Sequence, residues 1–113
     1  MAINDSEVVY IDADDALKRV GGNKVLYKKL LGRFVDGNYV EAIENALNSG
    51  DMEDSARQAH TLKGVSANLS LERVRALAIA LEEKIKNGAD YAAGLEELKE
   101  AYSVTLTKIA EFE

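Results

Sequence analysis

The sequence predicts an all-α protein, an antiparallel up-down four-helix bundle with a short additional helix at the N-terminal side. Proline is absent while Ala, Leu, Glu and Lys are plentiful, so the chain favours helix wherever glycine does not interrupt it. Apolar residues recur at helical spacing over long stretches, and short connections bearing Gly or Asn separate those stretches. A short first helix is predicted from the N-cap Asp12 to Val20, closed by Gly21-Gly22. Asn23 caps a second segment whose Leu26, Tyr27, Leu30, Leu31, Phe34 and Val35 continue through Val40, Ile43 and Leu47 to Asn48-Ser49-Gly50, with Gly37 as a bend. A third helix starts near Asp51 and ends around Asn68 or Leu69. Ser70 is expected to cap a fourth, with the stripe Leu71, Val74, Leu77, Ala78, Leu81 and Ile85 ending at Asn87-Gly88. Asp90 caps a fifth, carried by Leu95, Leu98, Tyr102, Leu106 and Ile109. Four long helices with short connections favour up-down antiparallel packing.

A chain of 113 residues is predicted to form one domain, residues 1–113, able to bury about two-thirds of its unfolded surface without disulfides. With no cysteine, disulfides and thiolate metal sites are excluded. The net charge of -6 argues against nucleic acid as a partner, because tracking phosphates requires clustered Lys and Arg. The first third is locally basic nonetheless, through Lys18, Arg19, Lys24, Lys28, Lys29 and Arg33. No apolar run approaches the ~20 residues that span a bilayer, and the opening MAINDSEVV is acidic where a secretion signal is basic. The expectation is a cytoplasmic protein without a membrane segment.

His60 is the only histidine, and it lies midway through the third helix. Helical spacing of roughly 100° per residue places Met52, Ser55, Ala59, Leu62, Ser66 and Leu69 on one face, the predicted core side. His60, Lys63, Gly64 and Ala67 share another face at i, i+3, i+4 and i+7, a stripe with a nucleophilic ring, a cation one turn away and little bulk. A histidine in a helix is ordinarily a core or plain surface residue. Its position on the wheel opposes burial, and Gly64 opposes the plain surface reading, since a glycine inside a helix costs roughly 1 kcal/mol relative to alanine and calls for a reason. Space for a partner beside the imidazole is such a reason. Lys63 can reach an anion carried by His60.

The run Ala59-His60-Thr61-Leu62-Lys63-Gly64-Val65-Ser66-Ala67-Asn68-Leu69 resembles the hallmark of the histidine phosphotransfer family. Ile11-Asp12 with Ala16-Leu17, the Gly21-Gly22 stop, Phe34, Gly50-Asp51 and Leu81-Glu82 fit the same layout, so the resemblance covers nearly the whole chain. It implies a helical bundle whose His60 accepts a phosphoryl group from an aspartyl phosphate on one response-regulator receiver and passes it to another. The implied partners are receiver domains of response regulators or of a hybrid sensor histidine kinase. Two departures stand out: Val65 follows the glycine where many members have Ser, and Glu82 stands where members often place Gln, and sometimes a carboxylate, on the next helix. Two readings of Glu82 stay open from the sequence: a carboxylate that accepts the Nδ1 hydrogen of His60, fixing the tautomer and making Nε2 the better nucleophile, or a plain solvated glutamate.

Only an unprotonated nitrogen can attack phosphorus, and the group in flight is stabilised mainly by charge and positioning. Lys63 supplies charge from this chain, while the metal and the acceptor aspartate belong to the receiver. Val9, Ile11, Ala13, Leu17, Val20 and Ala67 are the candidate docking residues, some of which must instead close the core. Gly21-Gly22-Asn23-Lys24 lacks the spacing of a P-loop, so the chain is expected to be a phosphoryl carrier without autokinase activity, cofactor or metal of its own, and a monomer. One histidine cannot furnish a di-metal bundle. Asp12-x-Asp14 fails as a calcium loop, with Leu17 at its required Gly and Asn23 at its terminal Glu. No nucleophile elbow supports a Ser-His hydrolase. The competing reading is a helical interaction domain that binds a receiver or another partner without phosphotransfer.

Overall fold

A computed structural model describes residues 9–112 as six helices with no strand among them. They are α1 (Ala13–Arg19), α2 (Lys24–Asp36), α3 (Tyr39–Asn48), α4 (Met52–Asn68), α5 (Glu72–Lys86) and α6 (Ala92–Glu111). The opening residues, on which the reading against a secretion signal rests, lie outside the described segment. Among the described residues no helix is long and apolar enough to cross a membrane.

Two of the predicted caps are made as expected, the side chains of Asp12 and Asn23 accepting from the backbone N–H of Asp15 and Leu26, and Asp51, at the expected start of the third helix, accepts in the same way from Asp54. Each satisfies a donor that the first helical turn would leave unpaired, a contribution of about 1 kcal/mol. Asp90 accepts from the N–H of Ala92 at 3.0 Å, although Tyr91 is the residue at the cap position.

Two expectations need correction. The long second segment is two helices, broken at Gly37-Asn38, where Asn38 adopts left-handed backbone with φ 50°. A Cβ on Gly37 would run into the ring of Tyr39, so glycine lets that ring close over the break and stack on Phe34 at 5.3 Å between centroids. Ser70 does not cap α5. Its φ is 57°, its hydroxyl donates to Asp15 Oδ2 at 2.7 Å, and Leu71 occupies the N-cap position without a side-chain cap bond. The residue chosen from local pattern serves a partner 55 positions away.

Helix α4 packs mainly against α5 and next against α3; α5 also packs on α6, and α3 meets α6 more sparingly. The buried apolar side chains Leu31 and Phe34 of α2, Ile43 of α3, Ala59 and Leu62 of α4, Val74, Ala78 and Leu81 of α5 and Leu98 of α6 form one continuous core. Tyr27 fastens α2 to the end of α4, its hydroxyl donating to the Leu69 carbonyl at 2.9 Å while Phe112 packs edge-on against its ring. On α4 the predicted core face holds for Ser55, Ala59, Leu62, Ser66 and Leu69, all buried. Met52 is the exception, 40% exposed. It is the first residue of α4, with no preceding turn beside it, and Ala56 one turn on is buried in its stead. Ser55 and Ser66 satisfy their buried hydroxyls on the carbonyls of Met52 and Leu62, so they fit the narrow interhelical space without an orphaned donor.

Candidate functional site

The middle of α4 and the C-terminal half of α5 bring His60 and Glu82 together. His60 projects outward from α4 with its side chain 62% exposed, while the Glu82 side chain is 9% exposed. Nδ1 of His60 lies 3.1 Å from Glu82 Oε2. An ionised carboxylate only accepts, so Nδ1 is the donor and carries the ring's proton when the imidazole is neutral. No hydrogen bond reaches Nε2 among the described residues, which leaves its lone pair facing outward.

Glu82 is also the anchor of two cations. Lys86 Nζ lies 3.1 Å from Oε2, and Lys63 Nζ lies 3.7 Å from Oε1. Burial by itself would push the Glu82 carboxyl up; the hydrogen bond and charge of Lys86, the His60 hydrogen bond and the charge of Lys63 outweigh it and hold the group below its ordinary value. Glu82 is therefore ionised near neutrality. Lys86 was not among the residues singled out from the sequence. The signal was present, since Lys at i+4 from Glu on a helix is the favoured orientation for an ion pair; it became informative only once Glu82 was known to be buried.

An open groove of about 540 Å³ runs beside the imidazole between α4 and α5, with Ala56, Ile85 and Met52 as its apolar part and Glu53, Arg57 and Lys86 as its charged part. On the other side of the ring, Lys63, Ile79, Glu83 and Lys86 line a smaller depression. Gly64 is exposed, and a Cβ built on it would meet nothing within 4 Å. Packing inside this chain therefore gives no reason for glycine there. Ala67, one turn further along α4, is half-buried.

The other residues predicted to dock a partner separate into two groups. Val9 is 54% exposed. Ile11, Leu17 and Val20 are partly buried against the core, and Ala13 is half-buried. Val20 joins Leu30, Phe34, Tyr39 and Val65 in a second groove of about 590 Å³, with Arg19 and Arg33 at its edge. Among the described residues no group of three or more His, Asp or Glu side chains is placed to hold a metal ion.

A model of the Hpt domain matches residues 36–107, more than half of the chain and the whole of α3 to α5 with most of α6. The chain belongs to the Hpt domain family. Neither a curated protein nor a solved structure matches it. Hpt domains carry phosphoryl groups on histidine in two-component phosphorelays, act with the receiver domains of response regulators and kinases, and are carriers rather than kinases. His60, Lys63, Gly64 and Glu82 all fall inside the matched segment.

Proposed function

We propose that this Hpt protein relays a phosphoryl group between receivers, taking it from the aspartyl phosphate of one onto Nε2 of His60 and delivering it to the aspartate of another. The observation that carries this reading is the disposition of the ring, with Nδ1 tied to a buried, ionised carboxylate and Nε2 turned outward. Attack forms the Nε2–P bond as the donor's acyl oxygen leaves with its bonding pair as a carboxylate, and delivery reverses those events on the second receiver. Glu82 is a positioning residue: it selects the tautomer in which Nε2 has its lone pair and holds the plane of the ring. Lys63 offsets the charge of the phosphoryl oxygens, and Gly64 leaves room for the receiver's loops.

Residues 1–113 act as a single monomeric, cytoplasmic domain in this reading. The pairings α3 with α4, α4 with α5, α5 with α6 and α6 back to α3 support a four-helix bundle, with α1 packed on α2 beside it. The receiver docks over the His60 stripe and Ala67, and meets Val9, Ile11, Ala13, Leu17 and Val20 as a small apolar patch suited to transient association. Incubation with a phosphorylated receiver tests the proposal. Acid-labile phosphate on the chain, then its appearance on a second receiver, is expected; stable binding with no transfer would support a receiver-binding module instead.

A further inference from the structure

We propose that Glu82, paired with Lys63 and Lys86, keeps the proton on Nδ1 while His60 is phosphorylated, so that the loaded ring persists as an imidazolium ready to release its phosphoryl group. This rests on His60 being the phosphoryl carrier and adds what happens between loading and release.

Proton and electron counts show why the point matters. The neutral ring begins with its proton on Nδ1 and its lone pair on Nε2. Once Nε2 has given that pair to phosphorus, the ring is cationic and Nδ1 still bears the proton. On release the acceptor oxygen attacks phosphorus, the P–Nε2 pair returns to Nε2, and the ring departs neutral in its original tautomer. No proton has moved. A loaded ring that loses its Nδ1 proton to solvent becomes a phosphoimidazole whose leaving group is an imidazolate, a far poorer one, and release must then wait for reprotonation.

The surroundings favour the protonated form. The acceptor facing Nδ1 is a carboxylate at 3.1 Å, largely shielded from water, and an opposite charge at that range stabilises a cation more than a neutral amide could. The charged groups around the ring are Glu53, Arg57 and Lys63 from α4 and Glu82, Glu83 and Lys86 from α5. Arg57 is engaged by Asp54. Lys63 and Lys86 by themselves disfavour a second positive charge, but both are paired with Glu82, and the phosphoryl dianion arrives with charge that more than matches the ring's. The phosphorylated, protonated site is thus closer to electroneutrality than the phosphorylated, deprotonated one.

Because His60 is the only histidine, its imidazole resonances report this state without ambiguity. The full chain, loaded with phosphoramidate, is titrated by imidazole and phosphorus NMR, and spontaneous phosphate loss is timed across the same pH range. Glu82→Gln retains an acceptor for Nδ1 but removes the charge; Glu82→Asp retains the charge, and circular dichroism checks both folds. The expected result is that the loaded parent keeps its ring proton to a pH about one unit or more above Glu82→Gln, with Glu82→Asp closer to the parent. At pH values above both midpoints, phosphate loss from the parent is expected to be about tenfold faster than from Glu82→Gln. Coincident midpoints for parent and Glu82→Gln, in a parent that loads, overturn this inference and leave the carrier reading standing. A parent that loads neither from phosphoramidate nor from a phosphorylated receiver overturns both.

Discussion

Two carboxylates, Glu82 and Asp15, each draw hydroxyl, ring or cationic donors from a distant part of the chain, yet they are built for opposite ends. Glu82 lies buried under an exposed imidazole and gathers His60, Lys63 and Lys86 around it. Asp15 accepts from the fully buried Ser70 at 2.7 Å and from Arg19 at 3.1 Å, clasping α1 to the turn between α4 and α5. In the first centre the shielded member is the carboxylate and the exposed member is the one that can react. In the second the shielded member is the hydroxyl, and no nucleophile is presented. Carboxylate chemistry alone does not tell a working site from a clasp; the deciding feature is which partner faces solvent.

Breaking the first centre should cost transfer and leave the fold intact. His60→Gln is expected to abolish phosphoryl acceptance while changing stability by no more than about 0.5 kcal/mol, since the side chain is mostly exposed; phosphotransfer assays and denaturant melts on one preparation check both halves. Gly64→Gln should slow transfer strongly while stabilising α4, and Gly64→Ala should stabilise it by up to ~1 kcal/mol with a smaller kinetic penalty, because a Cβ there meets no protein atom. Parental transfer by Gly64→Gln would show that the open space beside the ring serves no docking partner. A more moderate effect is expected for Lys63→Ala, which should slow single-turnover transfer about tenfold without preventing phosphorylation, in keeping with the loss of one charge-assisted contact.

The clasp should respond in the opposite sense. Ser70→Ala is expected to lower the melting temperature at pH 7 with transfer rates unchanged. Its pH dependence is fixed by Asp15, whose carboxyl is held below its ordinary value of 3.8 by the Ser70 hydroxyl first and Arg19 next. A carboxylate with a lowered folded value contributes its full stability above the ordinary value and loses it as pH falls through the lowered one. The deficit of Ser70→Ala should therefore be constant near neutrality and shrink below about pH 3.8, a trend that acid melts of the two proteins would reveal.

The same contrast explains what could be read from the sequence. Helix positions, two caps and the buried face of α4 follow from periodicity and local hydrogen bonding, both of which operate within a few residues. The His60-Lys63-Gly64 stripe is legible for the same reason, being a property of one helix. Ser70 was misassigned because its partner is far away in sequence and its left-handed backbone is imposed by the turn. The role of Lys86 was missed because its significance depends on burial created when α5 packs on α4. The break at Gly37-Asn38 was seen only as a bend, since the aromatic contacts that lock it, Phe34 with Tyr39 and with Tyr102, join α2, α3 and α6.

That break also sets the molecule's tolerance to change. Gly32 and Gly64 sit inside helices with open space where a side chain would go, whereas Gly37 has the Tyr39 ring against it. A library of alanine and larger side chains over these three positions would separate two kinds of intolerance: variants at Gly37 lose stability in the isolated protein as the ring is forced off Phe34, while bulky variants at Gly64 survive purification and fail only when a second molecule must come close.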